Sequence, residues 1–253
     1  MYNQYHDFAL ELIKTTDQII LNNFQKVISL EKHTGDLVTE VDKQIELIIT
    51  NKIKQKFPNH NVYGEEFGGN TSFKNFTWII DPLDGTNNYA LGIPMAGTAI
   101  TLLKDKKVIM SIISYPFVGK VFSAYIGSGT LLNGKQLTKP NCLKSKRISI
   151  LVGYSTVKNH FEYSKFLDYR KSLQLESNRI FETWCPVVDF TLLLEGYLDS
   201  IIFYSNEFYD SLRGIFLAEE LGYSVTHNNQ KYSFSGELTV NAKITSMSKF
   251  EID

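Results

Sequence analysis

The first sixty residues place many of their hydrophobic side chains at helical spacing. A first helix is predicted over about residues 2–27, and its apolar positions are Phe8, Leu12, Ile19, Ile20 and Phe24. A second stripe, spaced i, i+4, i+7, i+8 and i+12, consists of Val41, Ile45, Ile48, Ile49 and Ile53. Thr39 followed by Asp42 is typical of a capping box, and Pro58 lies just beyond the stripe. Two helices are therefore expected first.

The pattern then changes to that of strands. Residues 77–80 form a short β-rich run, which is expected to stop at Asp81-Pro82. Between residues 97 and 137, apolar and β-branched stretches alternate with turn residues such as Asn133-Gly134. This alternation predicts an antiparallel meander.

The last third of the chain mixes helices and strands. After the polar stretch 141–147, a strand is predicted at residues 148–152 and helices at 159–173, about 186–197 and about 209–221. The last two helices are each followed by a predicted strand. We therefore expect a layered, mixed α/β fold, with an N-terminal part (residues 1–143) that holds the meander and a C-terminal α/β part (residues 144–253).

Composition narrows the class of protein. The 253 residues are 43% hydrophobic and 21% charged, which is enough apolar material for a large core and excludes general disorder. The net charge of −1 argues against extensive electrostatic binding to a nucleic acid polymer or to acidic lipid. No apolar run approaches the ~20 residues of a membrane span, and the first residues lack a signal-peptide pattern. With only two cysteines, a soluble cytoplasmic protein is expected.

The candidate chemistry lies in carboxylates at the ends of predicted elements. Asp42 falls in the first turn of the second helix, Glu65 follows a short apolar segment, and Asp210 begins a late helix. Asp81 and Asp84 follow the strand at 77–80. Alone, each has an ordinary explanation as a helix cap, a surface loop or a turn. Their joint occurrence at element ends favours a functional site.

Asp81 and Asp84 point most directly to a metal. The residue before a proline is held extended, so the turn that follows brings both carboxylates and a main-chain carbonyl towards one point. Two carboxylates about 4 Å apart repel by roughly 4 kcal/mol at an effective dielectric constant near 20. Oxygen ligands of this kind suit Mg²⁺, and the predicted helix start at Gly85-Thr86 would present N–H groups to an anion. Metal-assisted phosphoryl chemistry is the hypothesis that follows.

These motifs, in this order, resemble those of the inositol monophosphatase superfamily of Mg²⁺-dependent, typically Li⁺-inhibited phosphatases. Residues 32–42 are similar to K-x-x-x-D-x-V-T-x-x-D, residues 64–66 to G-E-E, and residues 78–89 to W-I-x-D-P-I-D-G-T-x-N-F. Residues 189–199 and 209–214 match D-L-x-x-V-A-x-G-x-x-D and W-D-x-A-A-G more loosely. The resemblance implies an α-β-α-β-α sandwich, a small soluble phosphomonoester as substrate, and a homodimer.

The resemblance also implies a role for each matched residue. Glu65, Asp81 and the Leu83 carbonyl would hold a first Mg²⁺, and Asp81, Asp84 and Asp210 a second, out of two or three ions in all. Glu65 and Thr86 would activate the attacking water, with Asp42 fixing the Thr86 hydroxyl. The substrate would contact Asp84, Asp210 and the N–H groups of Gly85 and Thr86. Mn²⁺ would be a substitute metal and Li⁺ an inhibitor.

The sequence departs from the family where the substrate would bind. The small turn of the relatives, Gly-Ser/Thr-Ala, reads Trp184-Cys185-Pro186 here, and the proline removes one N–H donor. Aromatic residues, Phe181 and Phe203, stand where relatives carry a base and an acid. These aromatics are either ordinary core or part of a different substrate pocket. Arg213 replaces a small residue and is expected either to pair with Asp210 or to reach a second anionic group on the substrate.

Three functions therefore remain open. The first is a phosphomonoesterase that resembles inositol monophosphatase. The second, within the same superfamily, is a fructose-1,6-bisphosphatase or a 3′-phosphonucleotide phosphatase. The third is a relative that binds metal and phosphate without turnover, a possibility raised by Arg213 and by the altered turn at Trp184.

Overall fold

The fold is a five-layer α-β-α-β-α sandwich. The computed structural model describes residues 3–26, 29–33, 36–69, 73–141, 147–153, 157–204, 208–227, 230–231 and 242–245. The helices are α1 (Asn3–Asn23), α2 (Glu40–Lys56), α3 (Thr86–Ala90), α4 (His160–Glu176), α5 (Pro186–Leu194) and α6 (Phe208–Glu220). The mixed α/β class and the layered architecture predicted from the sequence are confirmed.

The first large sheet has eight strands in the order β10-β9-β8-β7-β6-β5-β3-β4. Their bounds are β3 Asn61–Gly64, β4 Gly68–Gly69, β5 Phe76–Asp84, β6 Gly97–Lys104, β7 Lys107–Tyr115, β8 Lys120–Tyr125, β9 Leu131–Leu132 and β10 Lys135–Gln136. Strands β5 to β10 pair antiparallel with their neighbours in sequence, as the predicted meander requires. A separate hairpin, β1 (Ser29–His33) with β2 (Asp36–Thr39), leads into α2.

The second large sheet has six strands in the order β12-β11-β13-β16-β14-β15. Their bounds are β11 Arg147–Val152, β12 Arg179–Phe181, β13 Ser200–Tyr204, β14 Ser224–His227, β15 Gln230–Lys231 and β16 Ala242–Thr245. All of these strands come from the C-terminal part of the chain. The division into parts near residue 143 stays a prediction, because residues 142–146 lie outside the described residues.

Alternation along the strands assigns each sheet face to a layer of helices. Trp78 and Ile80 pack with α1 and α2, whereas Ile79, between them, joins a core shared with α5, α6 and the inner face of the second sheet. Ile202 of β13 points the other way from its neighbours and packs against Phe166 of α4. Because side chains in a strand alternate between faces, these contacts fix α5 and α6 as the middle layer.

The β5 strand differs from the sequence prediction. It runs to Asp84 instead of stopping at Asp81, and its register against β6 shifts between the pairs Asp81–Ala99 and Asp84–Gly97. The shift is a bulge, and Pro82 lies within it, where a missing N–H is tolerated. The Pro82 carbonyl still accepts a hydrogen bond from Thr98 Oγ1 (2.9 Å). Pairing therefore resumes beyond the proline and carries Asp84 into the sheet.

Among the described residues, none of the helices has both the length and the apolar content that crossing a bilayer requires.

Candidate active site

The site is built on the β5 bulge and the turn after it. Asp81 shares the face of Ile79, which points to the α5–α6 layer, and only 6% of Asp81 is exposed. Asp84, which is 5% exposed, ends the strand. Gly85 then takes a left-handed conformation (φ 83°) and caps the short helix α3. A Cβ at Gly85 would stand 2.5 Å from the Met95 carbonyl oxygen, so both the backbone angle and the crowding require glycine.

The hydroxyl of Thr86 joins α3 to α2 and to the bulge. Thr86 Oγ1 lies 2.9 Å from Asp42 Oδ1 and 2.8 Å from the Leu83 carbonyl oxygen. The other carboxylate oxygen of Asp42 accepts from the N–H (2.8 Å) and the hydroxyl of Thr39, which completes the capping box predicted from the sequence. Asp42 is thus held by hydroxyls and one N–H, all of them neutral dipoles.

Burial is the largest influence on the pKa of Asp42. Its side chain is nearly inaccessible, and burial raises the pKa of the carboxyl to about 6 against the lowering effect of the Thr39 and Thr86 hydrogen bonds. The negative charge of Glu66 raises the pKa slightly further. Near neutral pH the group is therefore mostly ionised, but it takes up a proton at mildly acidic pH.

Glu46 is a site residue that the sequence reasoning missed. It is 1% exposed, and its two carboxylate oxygens accept from the N–H groups of Glu66 (2.8 Å) and Phe67 (3.0 Å). A Cβ on Gly64 would fall 1.7 Å from Glu46 Oε1, which explains the glycine of the Gly-Glu-Glu motif. A signal was present: Glu46 follows Asp42 by one helical turn, among apolar neighbours.

Glu46 fixes the loop that presents Glu65. Strand β3 pairs parallel with β5 so that Gly64 faces Ile80, and the Glu65 N–H donates to the Ile80 carbonyl oxygen (3.2 Å). Continuing this register sets Glu65 beside Asp81, although the Glu65 side chain itself is exposed. Burial raises the pKa of Glu46, and the nearby charges of Glu66 and Asp81 raise it further, so these carboxyls share one electrostatic neighbourhood.

Arg213 pairs with Asp81. Its guanidinium donates from Nη1 to Asp81 Oδ2, and Nη2 lies 3.9 Å from Asp84 Oδ1. The sequence predicted a pairing with Asp210 or with a second anionic group on the substrate, and both stay predictions. Asp210 lies in α6, but its side chain is outside the described residues. The Asp81 pair joins positions 132 apart along the chain, which helical spacing cannot reveal.

The N-terminus of α5 closes the site from the other side. The Val187 N–H donates to Asp84 Oδ2, and the buried Cys185 thiol lies 3.6 Å from the Asp84 carbonyl oxygen. The altered turn keeps a donor on Asp84 even though Pro186 has no N–H. Burial raises the pKa of the Cys185 thiol well above its ordinary value, so this cysteine is an unreactive packing group.

The turn before α5 carries an exposed aromatic side chain. Trp184 adopts a positive φ of 56°, which costs about 1–3 kcal/mol of backbone strain in a residue other than glycine. Its side chain is 62% exposed. The turn is held by Asn88 Nδ2, which donates to the Thr183 carbonyl oxygen (2.8 Å). Trp184 is therefore fixed next to the α3 turn but is not part of the core.

Phe203 and Phe181 differ in their surroundings. Phe203 is buried and stacks on Phe190 of α5 at 5.7 Å between ring centroids, so it is ordinary core. Phe181, at the end of an edge strand, is 40% exposed. Of the two aromatic replacements noted in the sequence, only Phe181 presents a ring to solvent.

Asp189 is a buried carboxyl that supports the Trp184 turn. It accepts from Ser149 Oγ (2.6 Å) and from Thr183 Oγ1 (2.7 Å), and it is completely inaccessible. Burial raises its pKa to about 7, and the two hydroxyls lower it only in part. Asp189 therefore resembles Asp42 in being held by neutral donors.

The donor set around Asp81 suits one hard cation. Asp81 Oδ1 is buried with no hydrogen-bond partner, and the nearby Leu83 carbonyl provides a second hard oxygen. Among the side chains that the structure describes, no three acidic, histidine or cysteine groups converge closely enough to hold a metal by themselves. Glu65, Asp81 and Asp84 are described and do not form such a group, and the Asp210 side chain is outside the described residues, so the ligand set implied by the resemblance stays a prediction.

Comparison with known proteins agrees with this architecture. The model of the "Inositol monophosphatase family" matches residues 1–249. Inositol monophosphatase 2 of Solanum lycopersicum is 40% identical over 142 residues, which span 53% of this chain and 53% of that protein. A fructose-1,6-bisphosphatase/inositol-1-monophosphatase of Aquifex aeolicus is 29% identical over 208 residues, 81% of this chain and 78% of that protein. The chain thus spans about half the length of the tomato relative.

Solved structures show the same fold. An IMPase of Thermotoga maritima superposes with a TM-score of 0.81 at 22% identity, covering 96% of this chain and 92% of that one. A Staphylococcal IMPase complexed with products also gives a TM-score of 0.81 and covers 97% of this chain. Since the family model matches nearly every residue, the chain belongs to the inositol monophosphatase family.

Proposed function

We propose that this protein is a Mg²⁺-dependent phosphomonoesterase that acts on a small soluble phosphate. The observation that carries the proposal is the Asp42–Thr86–Leu83 hydrogen-bond chain, which ends on the same β5 bulge as Asp81, whose Oδ1 is buried without a hydrogen-bond partner. Such a group of oxygens can position a water and a cation side by side. The family membership supports the same chemistry, since relatives such as inositol monophosphatase 2 of Solanum lycopersicum are phosphatases by name.

The proposed roles follow the donor set. Glu65, Asp81 and the Leu83 carbonyl would hold one Mg²⁺, and Asp84 and Asp210 are the further acidic ligands implied by the resemblance. When bound, Mg²⁺ supplies Lewis-acid polarisation of the phosphoryl group and lowers the pKa of a nearby water. A crystal structure of an IMPase/NADP phosphatase contains Mg²⁺ and phosphate, and a Staphylococcal inositol monophosphatase was soaked with LiCl as an inhibitory complex.

Thr86 and Asp42 would take up the proton of the attacking water. Thr86 Oγ1 can donate to Asp42 and so leave its lone pairs free to accept from the water. Asp42, ionised above a pKa of about 6, holds that orientation. Glu65, set next to Asp81 by the β3–β5 pairing, would orient the water from the opposite side. In-line attack then needs no covalent phosphoenzyme.

The phosphate would lie against the α3 turn. The N–H groups of Gly85 and Thr86 begin α3 and are proposed to bind the phosphoryl oxygens. Asp84 and Asp210 would contact the substrate from the side of the α5–α6 layer. The turn that presents these N–H groups requires glycine at position 85, because its φ is positive and a Cβ would collide with the Met95 carbonyl oxygen.

The identity of the leaving group stays open between three kinds of phosphate. A dual-specific IMPase/NADP phosphatase of this fold binds D-inositol-1-phosphate, and the Aquifex aeolicus relative is named for both fructose-1,6-bisphosphate and inositol-1-phosphate. The exposed Trp184 ring next to the α3 turn favours a substrate with an aromatic or flat face, such as a nucleotide. The last of the three functions considered from the sequence, a protein that binds metal and phosphate without turnover, has weaker support because the Thr86–Asp42 pair is intact.

A phosphate-release screen tests the proposal. Inositol, sugar and nucleotide phosphates would be assayed with and without Mg²⁺ or Mn²⁺, and with added Li⁺. We expect metal-dependent, Li⁺-sensitive release from at least one compound, and loss of release in the Thr86→Ala variant. Saturable binding without turnover across the whole panel would contradict the proposal and favour the non-catalytic alternative.

We also propose that the protein acts as a homodimer in the cytoplasm. The loop after α3 exposes three apolar side chains, Leu91, Ile93 and Met95, which a second copy could cover. Light scattering across a dilution series would show a mass near twice the 28.9 kDa of one chain. A mass of one chain at all concentrations would refute the dimer.

A further inference from the structure

Arg213 is a full positive charge in the interior of the acidic site. It is 3% exposed, and its guanidinium meets the carboxylates of Asp81 and Asp84, which are themselves 6% and 5% exposed. Removing a guanidinium from water is costly unless its charge is compensated. The two carboxylates provide that compensation, and in return Arg213 reduces their mutual repulsion.

The backbone around Arg213 is locked, so the direction of its side chain is built into the fold. Ser111 Oγ of β7 donates to the Arg213 carbonyl oxygen (2.8 Å). The next residue, Gly214, lies so close to α5 that a Cβ would stand 1.9 Å from the Phe190 ring. These contacts set the position of α6 against β7 and against its neighbour α5 in the same layer, and Arg213 projects from α6 onto β5.

The two oxygens of Asp81 have different surroundings. Oδ2 accepts from Arg213, whereas Oδ1 is buried without a hydrogen-bond partner. A carboxylate bridging two cations would offer one oxygen to each. Here one of the two positions already carries a cationic group, and it belongs to the protein.

We propose that the guanidinium of Arg213 takes the place of one divalent cation at this site. This inference rests on the proposed function, since it concerns the metals of the same site. The pair Asp81–Asp84, together with Asp210, is the ligand set that the resemblance implies for a second Mg²⁺. With Arg213 between Asp81 and Asp84, that ion is replaced, and a single cation is left to bind at Asp81 Oδ1.

Metal stoichiometry distinguishes this proposal from a merely structural ion pair. The amount of free Mn²⁺ would be followed by electron paramagnetic resonance during titration of the substrate-free protein. We expect one bound Mn²⁺ per chain in the wild type and one more in Arg213→Met, because this variant removes the guanidinium from Asp81 Oδ2 and Asp84 Oδ1 while keeping an unbranched side chain. Arg213→Lys, which keeps the charge, should retain the wild-type number.

The matched control is Arg170→Met. Arg170 pairs with Glu182 at the surface, so its removal deletes an ion pair without freeing a site carboxylate. This variant should bind as many Mn²⁺ ions as the wild type. Because Arg213→Met could unfold without metal, its melting temperature would be recorded in parallel, and we expect Mn²⁺ to raise it more than it raises that of the wild type.

Equal stoichiometry in the wild type and a folded Arg213→Met variant would overturn the proposal, as would two bound ions in the wild type. A variant that stays unfolded at saturating Mn²⁺ would also overturn it, since the metal would then be unable to take the position of the guanidinium. Failure of the proposed function has a different signature, namely no metal-dependent phosphate release from any compound, whatever the number of ions bound.

Discussion

Asp42 and Asp81 are both buried carboxylates at the same site, but they are compensated in different ways. Asp42 is held by two hydroxyls and one N–H, and burial raises its pKa to about 6. Asp81 faces a guanidinium instead. Neutral dipoles leave the Asp42 carboxyl able to exchange its proton near neutral pH, whereas Asp81 is paired with a full positive charge. We therefore call Asp42 with Thr86 the proton-handling side of the site, and Asp81 with Arg213 its charge-holding side.

The largest expected effect is on stability, from removing the charge-holding carboxylate. Asp81→Ala would leave Arg213 buried without its strongest partner and should lower the free energy of unfolding by about 3–5 kcal/mol. Urea titration measures this loss. The double variant Asp81→Ala/Arg213→Met should recover much of it, while Asp168→Ala, on the exposed face of α4, should change stability little. If Asp81→Ala lowered the free energy of unfolding no more than Asp168→Ala does, the contrast drawn between Asp81 and Asp42 would be wrong.

The second effect concerns Asp189, which belongs to the same class as Asp42. Its pKa is about 7 in the folded state and 3.8 in the unfolded reference, so the folded state binds the proton more tightly. Stability is therefore highest below about pH 4 for this group and falls as the pH rises to about 7, by up to about 4 kcal/mol. Asp189→Asn should flatten that part of the stability profile. An unchanged profile would show that Asp189 does not titrate in this window.

The third effect tests the proton-handling side by activity. Thr86→Ala should lower kcat by about 10²-fold or more, because the water loses its hydroxyl partner. Thr86→Ser should recover most of the rate. The control is Thr15→Ala, whose hydroxyl only bonds the Glu11 carbonyl of its own helix. Full activity in Thr86→Ala would refute the role of the pair.

The smallest effect is a pH dependence of kcat. Since Thr86 must donate to an ionised Asp42, kcat should rise about tenfold between pH 5 and pH 7, following a pKa of about 6. In Asp42→Asn this acidic limb of the pH profile, the rise of kcat between pH 5 and pH 7, should disappear, and much of the rate should be lost. Its stability should differ from the wild type by less than about 1 kcal/mol, because the amide can still accept from Thr39. A limb retained in Asp42→Asn would assign the titration to another group.

The sequence was sufficient for the layers and for the Asp42 side of the site. Helical and strand periodicity located α1, α2 and the meander, and the capping box placed Asp42 at the start of α2. These features depend on residues close together in the chain. The end of β5 was predicted wrongly, because a bulge lets pairing resume beyond Pro82, and local sequence does not show whether a partner strand continues.

The Asp81 side depends on contacts that periodicity cannot supply. Arg213 stands three positions after Asp210 on one helix, so the sequence suggested either Asp210 or a second anionic group on the substrate as its partner and gave no sign of Asp81 on β5. Glu46 was overlooked because an acid within an apolar stripe is easily assigned to the surface. The N–H groups that donate to it belong to Glu66 and Phe67, about twenty residues away, and only the fold brings them together.

The central claim is that one divalent cation and the phosphate bind together at Asp81. A crystal grown with saturating Mn²⁺ and inorganic phosphate tests this claim most directly. We predict one anomalous peak about 2.1 Å from Asp81 Oδ1, with phosphate against the N–H groups of Gly85 and Thr86 and the guanidinium still on Asp81 Oδ2. Absence of any anomalous peak within about 3 Å of Asp81 would contradict the account.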